Sequence, residues 1–151
     1  MIYEIIKHEN KILRNISKNI EKGEFDVKQL SDDMFETMKN AHGVGLAAPQ
    51  IGLNINLFVM GTNVDTRKVF INPVIEGEWG DEWVLQEGCL SISGISGNVH
   101  RKPNLQIRYF DVDWNEKLEI FSGMEARIIQ HEYDHLNGVL FIDKMLLNEI
   151  L

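Results

Sequence analysis

The sequence predicts an α+β domain, with antiparallel β-sheets packed around a C-terminal α-helix and two helices at the N-terminus. Apolar residues recur at helical spacing before Gly43 and again after Ser122. Between Asn56 and Phe121 they fall instead into short runs rich in β-branched and aromatic residues, broken by Gly, Asn, Asp and Pro. The resulting order of helices, strands and helix is the α+β signature. With 151 residues, 44% of them hydrophobic, and neither repeat nor linker, the chain reads as a single domain over 1–151.

The first helix is expected after Asn10, a good N-cap, with Ile12, Leu13, Ile16 and Ile20 on one face and Gly23 as its end. Asp26 opens the second, marked by Val27, Leu30, Met34, Met38 and Ala41 and closed by Gly43 in a left-handed conformation. Strands are expected at Leu57–Gly61, Val69–Asn72, Val74–Trp79, Glu82–Leu85, Val99–Arg101, Leu105–Asp111 and Leu118–Phe121, with Asp113-Trp114-Asn115 turning between the last two. Ser122-Gly123-Met124-Glu125 reads as a capping box and Gly138 as a stop, giving a last helix over Gly123–Asn137. Its core stripe is Ala126, Ile129, Tyr133 and Leu136.

Charge and composition exclude several functions. Fifteen Lys+Arg against 23 Asp+Glu give a net charge of −8, and no basic stripe is present to neutralise phosphates, so direct nucleic-acid binding is not expected. No run is long and apolar enough to span a membrane, and Met1-Ile2-Tyr3-Glu4 does not begin a signal peptide. The expectation is a cytoplasmic protein without membrane contact. The single cysteine, Cys89, rules out an internal disulfide. Alone, it reads as a small buried hydrophobe.

Chemistry enters with the last helix. His131-Glu132-Tyr133-Asp134-His135 is an H-E-x-x-H segment, and at about 100° per residue its two imidazoles leave one face a turn apart. Together they can bind one metal ion, with Glu132 placed to reach a water on it. A catalytic site normally needs a third protein ligand. The metzincin position is occupied by Phe141; Asp143 and Glu149 are the acidic residues downstream, and Cys89, in Glu87-Gly88-Cys89-Leu90-Ser91, is the upstream candidate. A Cys/His/His set suits Zn²⁺ or Fe²⁺ better than Mg²⁺ or Ca²⁺. Gly43-Val44-Gly45-Leu46-Ala47-Ala48-Pro49-Gln50 lacks the Lys-Ser/Thr of a phosphate loop, and Pro49 opposes a helix start there. It reads either as an ordinary Gly-rich connection or as a loop against which a substrate backbone lies, with Gln50 facing it. Met124, Ile128, His131 and His135 fall within about 60° of one another on the helix, so the first two are candidates for an apolar pocket beside the imidazoles. The Arg127 stem is placed to form its wall.

Gly43–Gln50, Glu87–Ser91 and Gln130–His135, joined by Leu13-Arg14 and Ile71-Asn72-Pro73, together resemble the peptide deformylase family over nearly the whole chain. The resemblance implies hydrolytic removal of the N-formyl group from the initiator methionine of nascent polypeptides in the bacterial cytoplasm. It implies a metal on Cys89, His131 and His135, natively Fe²⁺ and replaceable by Zn²⁺, Ni²⁺ or Co²⁺, with Glu132 as general acid/base. The Leu90 N–H and the Gln50 side-chain amide become oxyanion donors, and Gly43, Val44, Gly45, Glu87 and Gly88 contact substrate beside the Met124, Arg127 and Ile128 pocket. Two departures stand out: Ser93 precedes Gly94 where many relatives have Pro, and only 13 residues follow Gly138, which puts ribosome docking by a long C-terminal helix in doubt. Competing readings are an H-E-x-x-H endopeptidase and a non-catalytic metal- or peptide-binding relative.

Overall fold

The computed structural model describes residues 1–145. Its elements are α1 (Val27–Asn40), β1 (Gly45–Ala47), β2 (Leu57–Met60), β3 (Lys68–Trp79), β4 (Trp83–Cys89), β5 (Ile92–Arg101), β6 (Asn104–Phe110), β7 (Glu116–Ser122) and α2 (Gly123–Leu136), with single 3₁₀ turns between them. Among the described residues the strands form two antiparallel sheets, one ordered β1-β2-β3-β6-β7 and the other the hairpin β4-β5.

β2 shows why the large sheet sits where it does. Leu57-Phe58-Val59-Met60 is apolar throughout because both faces are covered. Leu57 and Val59 join Leu30, Met34 and Met38 of α1, while Phe58 and Met60 join Ala126, Ile129 and Leu136 of α2. Phe58 stacks on Phe70 at 4.6 Å between ring centroids. Farther along the sheet only one face is buried, and strand alternation returns: Leu105, Ile107 and Tyr109 point inward, whereas Arg108 bridges Glu76 and Glu116 in solvent. The stripe Ala126, Ile129 and Leu136 is buried as expected, leaving the opposite face of α2 for the site.

Several expectations need correction. The first predicted helix is only one 3₁₀ turn, Lys11–Arg14. Leu13 belongs to the core around Phe141, and Ile20 to that around α1. An extended chain, bonded through Lys18 to Asn54 and Asn56, is what reaches both, and Ile16 is left 75% exposed. The end of α1 is turned by His42 (φ 60°), not Gly43, while Gly43 lets the chain pass close to Leu90, whose Cδ1 would lie 2.6 Å from a Cβ there. The Ser122 hydroxyl caps nothing; it donates to Asn104, and Gly123 at φ 63° makes the strand-to-helix bend. Two predicted strands merge into β3 through a bulge at left-handed Asn72, whose side chain grips both backbone groups of Ile20. Finally, Gly45–Ala47 is a strand, and Pro49 sits inside the 3₁₀ turn Ala48–Ile51, where the amide it lacks is not needed.

Candidate active site

Three elements converge on one face of α2. Helical spacing puts His131 and His135 a turn apart, with ring centroids 5.2 Å from each other. Cys89, the last residue of β4, faces them, its Sγ 3.4 Å from His135 Nε2. One ligand atom from each of the three residues lies within 4.8 Å of the others, a spacing one ion can bridge. Of the two acidic alternatives, only Asp143 lies among the described residues, and it is committed elsewhere. Asp143 is held by Arg14 and by the Leu140 amide, and Glu149 lies outside the described residues.

Electrostatics favour a cation here. Burial pulls His131 down, but hydrogen bonds to Cys89 and Glu87 and the Glu132 charge outweigh it and raise the group to about 10. The thiol and carboxylates around His131 therefore stabilise positive charge at this point despite desolvation. Burial, then the charges of His131 and Arg101, keep His135 well below its ordinary range, so it is a neutral imidazole with a free lone pair. His135 Nδ1 and Glu132 Oε1 are buried with no hydrogen-bond partner among the described residues. Burial is also what pushes Glu132 up to about 7, against the pull of His131 and Arg101. Orphaned polar atoms around a sulfur and two imidazoles fit a soft or borderline divalent cation with a reactive water.

Glu87, expected to meet substrate, does border the cleft, but its carboxylate is turned to other partners. The residue is 8% exposed, and its carboxylate accepts from Arg101 Nε (2.7 Å) and Nη2 (3.0 Å), from Arg127 Nη1 and from His131 Nδ1 (3.0 Å). No oxygen remains for a ligand. Its place is behind His131, fixing the tautomer that turns Nε2 toward Cys89. Arg127 borders the cleft but likewise spends its guanidinium inside, on Glu87 and the Val99 and Trp83 carbonyls and over the Trp83 ring. Arg101 and Asp134, joined at 3.0 Å, complete this buried network. Sequence reasoning missed both, because an Arg in an alternating strand reads as exposed.

The cleft in front of the three ligands has a volume of about 390 Å³, and Met124 and Ile128 form its apolar side. Val44, Gly88 and Leu90 border it as well. Gly61 N–H donates to the Val44 carbonyl beside the pair Gly45↔Met60, which turns the N–H and C=O of Gly45 away from β2 and toward the cleft. Gln50 is 1% exposed; its Oε1 accepts from Ala47 N–H, so its NH₂ points at Ser91 Oγ (3.1 Å) and lies 3.6 Å from Cys89 Sγ. A Cβ on Gly45 would lie 2.6 Å from Glu132 Oε2. Gly45→Ala should therefore displace that carboxylate and lower kcat about a hundredfold, with thermal unfolding little changed. Wild-type kcat in a steady-state assay would contradict it.

Comparison with known proteins agrees with this geometry. The family model described as Polypeptide deformylase matches residues 2–149. A peptide deformylase of Cytophaga hutchinsonii is 57% identical over 152 residues, covering 96% of this chain and 83% of its own. The peptide deformylase structure from Thermotoga maritima superposes with a TM-score of 0.91 at 36% identity, covering 97% of this chain and 99% of that one. A class I type b peptide deformylase from Acinetobacter baumannii, solved with Met-Ala-Ser bound, superposes with a TM-score of 0.90 at 30% identity over 96% of this chain and 99% of its own. Among the described residues no helix is long and apolar enough to cross a membrane.

Proposed function

The chain belongs to the polypeptide deformylase family, and from that premise we propose how its own residues remove the N-formyl group from the N-terminal methionine of new polypeptides. Cys89, His131 and His135 hold the divalent ion, Fe²⁺ in the cell, with Zn²⁺, Ni²⁺ or Co²⁺ able to replace it. The observation that carries this reading is the convergence of one sulfur and two imidazoles within 4.8 Å, next to a buried carboxylate with an unpartnered oxygen. When bound, the ion supplies Lewis acidity to the formyl carbonyl and acidifies water. Glu132 takes the proton from the attacking water and returns it to the departing amine, a task suited to a carboxyl raised to about 7. Negative charge on the carbonyl oxygen is met by the Leu90 N–H and the Gln50 NH₂, the latter already aimed by Ala47 and Ser91. The products are formate and a free methionyl N-terminus.

The substrate enters as a short strand. Gly45 on one side offers a backbone N–H and C=O, Gly88 borders the other, and Met124, Ile128 and the Arg127 stem receive the methionine side chain. The Met-Ala-Ser peptide in the Acinetobacter relative supports the same occupant here. Residues 1–151 act as one catalytic domain in the bacterial cytoplasm, in transient contact with the ribosome. The ligand set is tested by metal analysis of protein purified anaerobically with Fe²⁺. Wild type should carry about one ion per chain and Cys89→Ser much less, since a hydroxyl is a poor replacement for thiolate. Equal metal in the two samples would remove Cys89 from the set.

A further inference from the structure

The two oxyanion donors assigned above come from separate elements. Gln50 lies in the 3₁₀ turn Ala48–Ile51, and Leu90 is the first of two residues, Leu90 and Ser91, that turn β4 into β5 around the pair Cys89↔Ile92. A two-residue hairpin tip is ordinarily free to rock, and rocking here would swing the Leu90 N–H. Three consecutive residues of the N-terminal segment prevent it. Ile6 N–H donates to the Gln50 carbonyl at 2.8 Å, Lys7 Nζ to the Leu90 carbonyl at 3.1 Å, and His8 N–H to the Ser91 carbonyl at 2.9 Å. Ile6 and Cys89 pack against the same apolar cluster, so the segment is anchored beside the site.

We propose that Ile6–His8 is a strap that sets the distance between the two oxyanion donors, and that Lys7 is a positioning residue for deformylation. The strap rests on the function assigned above, but its mechanics belong to this chain. The peptide plane carrying the Leu90 N–H is bounded by Cys89, at the candidate metal centre, and by Leu90, whose carbonyl Lys7 pins. With both ends held, the N–H keeps one direction. A charged donor makes the stronger kind of hydrogen bond, and here it replaces a strand partner that the tip lacks. Substrate binding elsewhere in the cleft does not touch Lys7, which lies outside the cleft lining.

The test compares Lys7→Met with Lys7→Arg, and with Lys22→Met as an exposed control, on the metal-loaded chain. Formate release from formyl-Met-Ala-Ser, metal content and backbone amide exchange at Leu90 are measured on each. Lys7→Met should lower kcat about fivefold to tenfold, the scale of one charge-assisted hydrogen bond, with KM and metal content unchanged and Leu90 exchange faster. Lys7→Arg should restore most of the rate, and Lys22→Met should behave as wild type. Unchanged kcat and exchange in Lys7→Met would overturn the strap. So would a loss of metal in Lys7→Met, or failure of Lys7→Arg to restore the rate, because either marks a general structural defect. An inactive wild type whose Leu90 exchange still responds to Lys7→Met would overturn the function and not the strap.

Discussion

Glu132→Gln is expected to abolish formate release from formyl-Met peptides, with kcat down on the order of a thousandfold or more, while the protein keeps its metal. Gln preserves the shape and the hydrogen-bonding volume of the side chain, so α2 and both imidazoles stay in place. What disappears is the group that accepts and returns a proton. Glu132 Oε1 has no partner among the described residues, so the substitution breaks no hydrogen bond at that atom and its effect is confined to chemistry. Residual binding and oxyanion stabilisation set the floor. If the Gln variant turns over at more than about a tenth of the wild-type rate, Glu132 is not the general base.

Glu87→Ala should have the largest effect on stability. The carboxylate compensates two arginines that are 3% and 2% exposed; removing it leaves Arg127 buried without an acidic partner and Arg101 with Asp134 alone. Breaking a buried ion pair from one side costs about 3–5 kcal/mol, which for a chain of this size lowers the unfolding midpoint by roughly 10 °C. His131 loses its orienting acceptor at the same time, so metal affinity should fall about 10- to 100-fold. A midpoint within about 2 °C of wild type would mean that the network is peripheral.

The same group makes stability depend on pH in a defined direction. Burial pushes Glu87 up, but hydrogen bonds from His131 and Arg101 more than compensate and hold it near 2 instead of its ordinary 4.5. A depressed carboxyl stabilises the folded state fully above its unfolded value and ceases to do so as pH falls toward the folded one. The Glu87 contribution is therefore present at neutral pH and is lost between about pH 4.5 and 2.

α2 was legible almost to the residue, because a four-residue stripe, a terminal Gly and the paired imidazoles all reported the same helix. The Cys89, His131 and His135 cluster proposed to hold the metal could be assembled from the sequence for the same reason: two share that helix, and the third was the only cysteine. β1 was not legible. Gly45-Leu46-Ala47 has weak strand propensity and extends only because it pairs with β2, with glycine required by the nearby Glu132 carboxylate. The first helix was misread because Leu13 and Ile20 share a helical spacing yet serve different cores, a distinction visible only in three dimensions. Glu87 illustrates a further limit. Its motif marked it as part of the site, but whether it faced substrate or supported His131 depended on Arg101 and Arg127, which come from another strand and from α2.

The central claim is that this cleft acts on the formyl group of a methionyl N-terminus. Protein purified anaerobically with Fe²⁺ should be given formyl-Met-Ala-Ser and, separately, a longer unformylated peptide, with formate and cleavage products followed together. Stoichiometric formate from the first and no internal cleavage of the second is the predicted result. Cleavage within the unformylated peptide, with no formate from the formylated one, would contradict it.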